Sequence, residues 1–152
     1  HKEYRRQRQM CIRDSPEIMR RRISVFFGIE MDIDSDDWVP SHGDLHWNNI
    51  HRDPFAIADW EAWGLAPRGY DAAFLLGHSL AVPHVADQIA RRFRRDLESE
   101  GGIVSQLYVM TKLLTRADAG EHEHLVPALH RHVGRLLGTR VPPGRRSSSS
   151  TT

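Results

Sequence analysis

Cysteine is almost missing. Cys11 stands alone among 152 residues, which excludes an internal disulfide framework and fits a reducing compartment. Long apolar runs are missing too. Nothing approaches the roughly 18 consecutive apolar residues of a membrane span, so no membrane partner is expected. The first residues are polar and basic, without the apolar stretch of a secretory signal. Net charge is close to absent, with 21 Lys+Arg against 20 Asp+Glu. That balance argues against a nucleic-acid partner bound through overall charge. The length of 152 residues leaves room for one core and not for two large ones, and apolar residues, at 39%, are enough to fold but below the globular norm. These absences leave a soluble cytoplasmic domain as the expectation.

The near-zero total conceals an uneven distribution. Residues 1–22 carry eight basic and three acidic side chains, a net of +5. Residues 30–71 carry ten acidic residues against Arg52 and Arg68 alone, a net of −8, and the rest of the chain is +4. A concentrated acidic centre is costly unless its charges face water or a cation sits among them. Asp32, Asp34, Asp36 and Asp37 follow one another without apolar spacing and read as a solvated loop.

Residues 1–14 have neither helical nor strand period; they read as a basic arm or as sequence foreign to the protein. Structure is expected from Ser15, a good N-cap followed by Pro16 and Glu17 in the first turn. Ile18, Met19, Ile23, Phe26 and Phe27 share a helical face that Gly28 closes. Two short apolar segments around Asp53-Pro54 predict a β-hairpin with Phe55 and Ile57 on one face. Four helices follow. One carries Tyr70, Ala73, Phe74, Gly77 and Leu80 and ends at Pro83. The next carries Val85, Ile89, Phe93 and Leu97 and closes at Gly101-Gly102. A third carries Ile103, Leu107, Met110 and Leu114; a fourth carries Leu125, Leu129, Val133 and Leu136 and ends at Gly138. Arg91, Arg92, Arg94 and Arg95 read as a solvated face. Residues 141–152, rich in Ser and Thr, read as a disordered tail.

Chemistry concentrates in His42-Gly43-Asp44-Leu45-His46-Trp47-Asn48-Asn49, with Asp59 ten residues beyond. A carboxylate in a tight loop can take the proton of an attacking hydroxyl. An Asn amide oxygen and a second carboxylate on the two arms of a hairpin are hard ligands suited to Mg²⁺. The interval from Asp44 to Asn49 is the five-residue spacing of base and metal ligand in protein kinases. Asn48 is expected to bond locally in the loop.

HGDLHWNNI followed by IADWEAWGLAPRGYDAAFLL resembles the catalytic segment of the aminoglycoside phosphotransferase and choline-kinase-like family, which shares the protein-kinase fold. The resemblance covers roughly residues 38–82, about a third of the chain. It implies that Asp44 is the catalytic base, Asn49 and Asp59 the magnesium ligands, and His42 a loop-packing histidine. Asp71 would be the buried carboxylate that braces the catalytic loop. It further implies ATP as phosphoryl donor and a small-molecule hydroxyl as acceptor. The fold expected over residues 15–140 is mainly α (α+β), a kinase-like C-lobe whose small β-hairpin carries the catalytic and metal residues. The short interval between Asn49 and Asp59 requires a very tight hairpin. Residues 1–40 hold one glycine, Gly28, and one lysine, Lys2. They therefore supply neither the phosphate-covering loop nor the strand lysine of an N-lobe. The expectation is a C-lobe portion without an N-lobe, catalytically silent by itself.

Two other classes compete. His42, His46 and His51 suggest a zinc hydrolase, and a kinase-like module without catalysis would serve interactions only. His122, His124, His130 and His132 read as a solvated cluster on a polar helix. Trp47, Trp60 and Trp63 read as packing residues, and Glu61 as an acid either near the metal or exposed.

Overall fold

The structure is a computed structural model that describes residues 15–138. Cys11, the arm 1–14 and the tail 141–152 lie outside the described residues.

Helix α1 spans Pro16–Phe27. Ser15 caps it as its pattern predicts: its Oγ accepts the Ile18 N–H at 3.3 Å. Gly28 closes it in the left-handed region, φ 65°, donating to the Ser24 carbonyl at 2.8 Å. The acidic loop that follows is exposed at Asp32, Asp34, Asp36 and Asp37 and is pinned to the core by buried Ile33.

Two small antiparallel sheets come next, one nested inside the other. Strand β1, Val39–Ser41, is the first arm of the outer pair. Strands β2, Ile50–His51, and β3, Ala56–Ile57, form the inner hairpin with Ile50 opposite Ile57. Strand β4, Gly64–Ala66, returns to β1 with Ser41 opposite Gly64. The inner hairpin is the expected one. Its turn differs from the expectation, because Phe55 lies in the turn and is 74% exposed, so it shares no packed face with Ile57.

The helical part begins with α2, Tyr70–Ser79, which is buried almost all round, and continues with α3, Pro83–Arg92. The expected long helix through Leu97 breaks at Phe93, whose φ of −109° and ψ of 20° are not helical, and restarts as α4, Arg94–Leu97. Gly101-Gly102 does not end a helix. Both glycines sit in the first turn of α5, Glu100–Asp118, whose cap is Ser99. A Cβ on Gly102 would run into the Asp96 and Leu97 carbonyls, so glycine is required there by close packing, and Gly101 lies close against Arg68. Helix α6, Val126–Gly138, follows a single 3₁₀ turn at Glu123–Leu125.

The core is the seam between α2 and α5. Gly77 lets the two helices approach so closely that a Cβ there would press on the Leu113 and Met110 side chains. Tyr70, Phe74, Leu107, Tyr108 and Met110 fill the seam. Lys112 donates to the Tyr70 hydroxyl at 2.9 Å and lies over the Tyr108 ring at 5.1 Å. Arg22 docks α1 onto α5 through Thr111 Oγ1 at 3.2 Å and Thr115 Oγ1 at 2.8 Å. The four arginines of 91–95 are exposed, as expected. No helix among the described residues is long and apolar enough to cross a membrane.

Leu107 is fully buried in this seam, whereas Leu65 on β4 is half exposed. Leu107→Ala should lower stability by about 2–5 kcal/mol, and Leu65→Ala by less than about 0.5 kcal/mol. Urea denaturation followed by circular dichroism checks the contrast.

Candidate active site

The loop after β1 is held from the first turn of α2. The Asp71 carboxylate accepts the His42 N–H at 2.8 Å on Oδ2 and the Gly43 N–H at 3.0 Å on Oδ1. Such charge-assisted bonds are worth about 1.5–3 kcal/mol each. Gly43 sits at φ 89°, and a Cβ there would collide with the Ala62 carbonyl, so only glycine satisfies both backbone and space.

His42 is buried and uses both ring nitrogens. Nδ1 accepts the Asp44 N–H at 3.3 Å, and Nε2 donates to the Ala58 carbonyl at 2.8 Å. These bonds fix the tautomer and tie the loop to the residue before Asp59. They also leave no lone pair on His42 for zinc, which removes it from the hydrolase reading's ligand set. His51, the third histidine of that set, is exposed on β2. No group of three or more His, Cys, Asp or Glu is placed to hold a metal among the described residues.

Asp44, with 25% of its side chain exposed, is presented at the surface of the loop. Its Oδ1 is 3.4 Å from the Arg116 guanidinium and its Oδ2 is 3.5 Å from His46 Nε2. Asn49, in a one-turn 3₁₀ segment over Trp47–Asn49, is only 7% exposed. Its Nδ2 donates to the Asp44 carbonyl at 2.9 Å, which couples the proposed base and ligand positions directly. The Asn49 carbonyl in turn accepts the Ala58 N–H at 2.8 Å. Asn49 Oδ1 and the exposed Asp59 carboxylate make no hydrogen bond or ion pair among the described residues. Two unengaged hard oxygens, joined through one hairpin, are a donor set that suits Mg²⁺. Asp59 holds left-handed backbone, φ 58°, a strained state for a non-glycine residue. Asn48 is exposed, as is Glu61.

The structure thus brings together His42, Asp44, Asn49 and Asp71 by direct bonds, and Asp59 through its neighbour Ala58. Three readings need correction. Trp47, Trp60 and Trp63 are exposed, because they lie on the 3₁₀ turns and hairpin that stand off the helical core. They are anchored at their edges, Trp47 Nε1 donating to Ser79 Oγ at 2.9 Å and the Trp60 ring meeting His42 edge-on at 4.7 Å. His132 is not solvated; it is half-buried and bonded to Gln106 Oε1 at 2.8 Å. His122, His124 and His130 are exposed as expected, but His122 lies outside any helix, on the loop after α5, and its ring packs on His78.

Residues that the motif does not include also reach the site. Arg116 contacts Asp44 from α5, and His78 of α2 meets the His46 ring at 5.2 Å. The pairing of Arg116 with Asp44 spans 72 residues and has no local signal. Burial, then the neighbouring His46, His122 and Arg116, push His78 down to about 4, against the pull of Asp44. His132 is also pushed down to about 4, first by burial and then by Arg135.

A scan against protein-family models, a search of curated proteins and a search of solved structures each returned no match.

Asp71→Asn replaces one acceptor with an N–H donor that faces a backbone N–H. It should cost about 1–3 kcal/mol and speed amide exchange at His42 and Gly43, measured by urea titration and hydrogen exchange. Because His78 and His132 sit below their ordinary value in the fold, the unfolded chain takes up their protons first. The stability that both contribute is complete above pH about 6.5 and is lost as pH falls toward about 4. Denaturant titrations across that window should show a falling stability whose slope lessens in His132→Gln.

Proposed function

We propose that this chain carries the catalytic segment of an ATP-dependent small-molecule phosphotransferase with a kinase-like C-lobe. The observation that carries the reading is the paired grip of Asp71 on the His42 and Gly43 amides, which fixes Asp44 at the loop surface. The direct bond from Asn49 to the Asp44 carbonyl supports it. In this reading the acceptor hydroxyl oxygen forms a bond to the γ-phosphorus of ATP. The bond from that phosphorus to the β–γ bridging oxygen breaks, ADP departs, and the hydroxyl proton passes to Asp44. His42 keeps Asp44 oriented by accepting its N–H, and its bond to Ala58 holds the arm that bears Asp59. Asn49 Oδ1 and the Asp59 carboxylate are the atoms that would hold Mg²⁺. When bound, the ion neutralises phosphate charge.

The exposed Phe55, Trp60, Trp63 and Leu65 favour a second reading, a kinase-like interaction module without turnover. One variant separates the two. In the full-length protein, Asp44→Ala should leave the circular dichroism spectrum unchanged and reduce transfer of labelled γ-phosphoryl to a panel of alcohols by about 10²–10⁴-fold. Transfer that survives the substitution overturns the phosphotransferase reading, and no transfer from the unmodified protein decides for the module.

A further inference from the structure

Beside Asp44 stands a group of cationic and imidazole side chains that transfer from ATP does not itself require. Four separate elements supply it. Arg116 comes from the end of α5, His46 from the loop, His78 from the last turn of α2, and His122 from the loop after α5. The rings are in series, His46 to His78 at 5.2 Å and His78 to His122 at 5.2 Å.

Two features mark this group, whose outermost ring, His122, is exposed. His78 Nε2 is buried and has no hydrogen-bond partner among the described residues, a state that native proteins rarely leave unexplained. His122 is held at φ 57°, a left-handed backbone that is uncommon for a non-glycine residue. Only Asp59 shares that state among the described non-glycine residues.

From this constellation we infer that Arg116, with His78 and His122 beside it, is the recognition site for the acceptor, and that the acceptor is an alcohol bearing a carboxylate. The inference rests on the phosphotransferase reading and narrows its substrate class. Arg116 gives Asp44 one hydrogen bond, of 3.4 Å, and 36% of its side chain remains exposed. The rest of its planar donor set is shaped for a second carboxylate. His78 is pushed down to about 4, so it is neutral near pH 7. Arg116 is then the one permanent cation of the group, which matches a monoanion better than a phosphate dianion. Asp44 pulls His78 the other way, while Asp118, Glu121 and Glu123 nearby in sequence are exposed. A polyammonium acceptor would meet the Arg116 charge directly and would have to displace it from Asp44. The site therefore discriminates against aminoglycosides.

The test uses isotope-labelled chain of this sequence, with three probes: lactate as a monoanionic hydroxy acid, inorganic phosphate, and kanamycin as a polycation. Lactate should cause saturable NMR shifts at the Arg116 Nε–H and the His78 and His122 rings. Arg116→Gln should weaken lactate by at least about tenfold, the value of one charge-assisted hydrogen bond, with the remaining backbone spectrum unchanged. Absence of lactate shifts, their persistence in Arg116→Gln, phosphate binding tighter than lactate, or kanamycin binding at these residues each overturns the inference. No turnover is needed for this readout. Its failure alongside Asp44-dependent transfer removes only the acceptor assignment, whereas transfer indifferent to Asp44 removes the reading beneath it.

Discussion

The carboxylate of Asp71 is the fixed point of this structure. It stands in the first turn of α2, the helix most completely enclosed by the core, and takes two consecutive backbone amides of the loop after β1. A loop of this composition has no packing of its own to define it. Two ionic hydrogen bonds from a buried helix supply the definition, and each is stronger than the neutral bonds within the loop. Gly43 must then turn left-handed under the Ala62 carbonyl, and His42 must point its ring at Ala58. The positions of Asp44 and of the arm bearing Asp59 follow from that one grip.

The loop continues along the same helix. His42 is tied to Asp71, His46 lies against His78, and Trp47 donates to Ser79. Asp71 and His78 are seven residues apart, two helical turns, so they fall on one face of α2. The helix serves as a rail for the loop from its first turn to its last. A neighbouring face of it is pressed into α5 at Gly77, and α5 carries Arg116 back to Asp44. The seam that stabilises the molecule therefore also sets the distance between Asp44 and its cationic neighbour. Loss of packing at the seam would loosen the site without touching any polar residue in it.

Local chemistry was legible in the sequence where a short stretch carries the whole signal. Ser15, Pro16 and Gly28 mark their helix because caps and left-handed stops act within a turn. Asp44 and Asn49 stand out through their spacing in one loop, and His42 and Asp71 through the resemblance of that segment to a known one; the structure joins all four by hydrogen bonds. The strands β1 and β4, three residues each, are too short for a period of two to register. Gly101 and Gly102 mislead because a glycine demanded by a close backbone approach looks the same as one that ends a helix. Arg116, His78 and His122 were beyond reach, since what unites them is the folded seam and not any interval along the chain.

The acidic centre of the sequence resolves into separate fates once the partners are known. Asp32, Asp34, Asp36 and Asp37 face water, and Asp34 caps the loop by accepting the Asp36 N–H at 3.0 Å. Asp71 is engaged by backbone amides, and Asp44 is balanced by Arg116 and His46. Asp59 and Glu61 are the acids near the hairpin that remain exposed and without a partner among the described residues. The net charge of −8 over residues 30–71 is therefore no diffuse cation trap. The side-chain oxygens it leaves unengaged around the hairpin are few: the carboxylates of Asp59, on a left-handed backbone, and Glu61, with Oδ1 of Asn49. Asp44 is the residue on which these fates meet, its carboxylate facing Arg116 and His46 and its carbonyl taking the Asn49 amide.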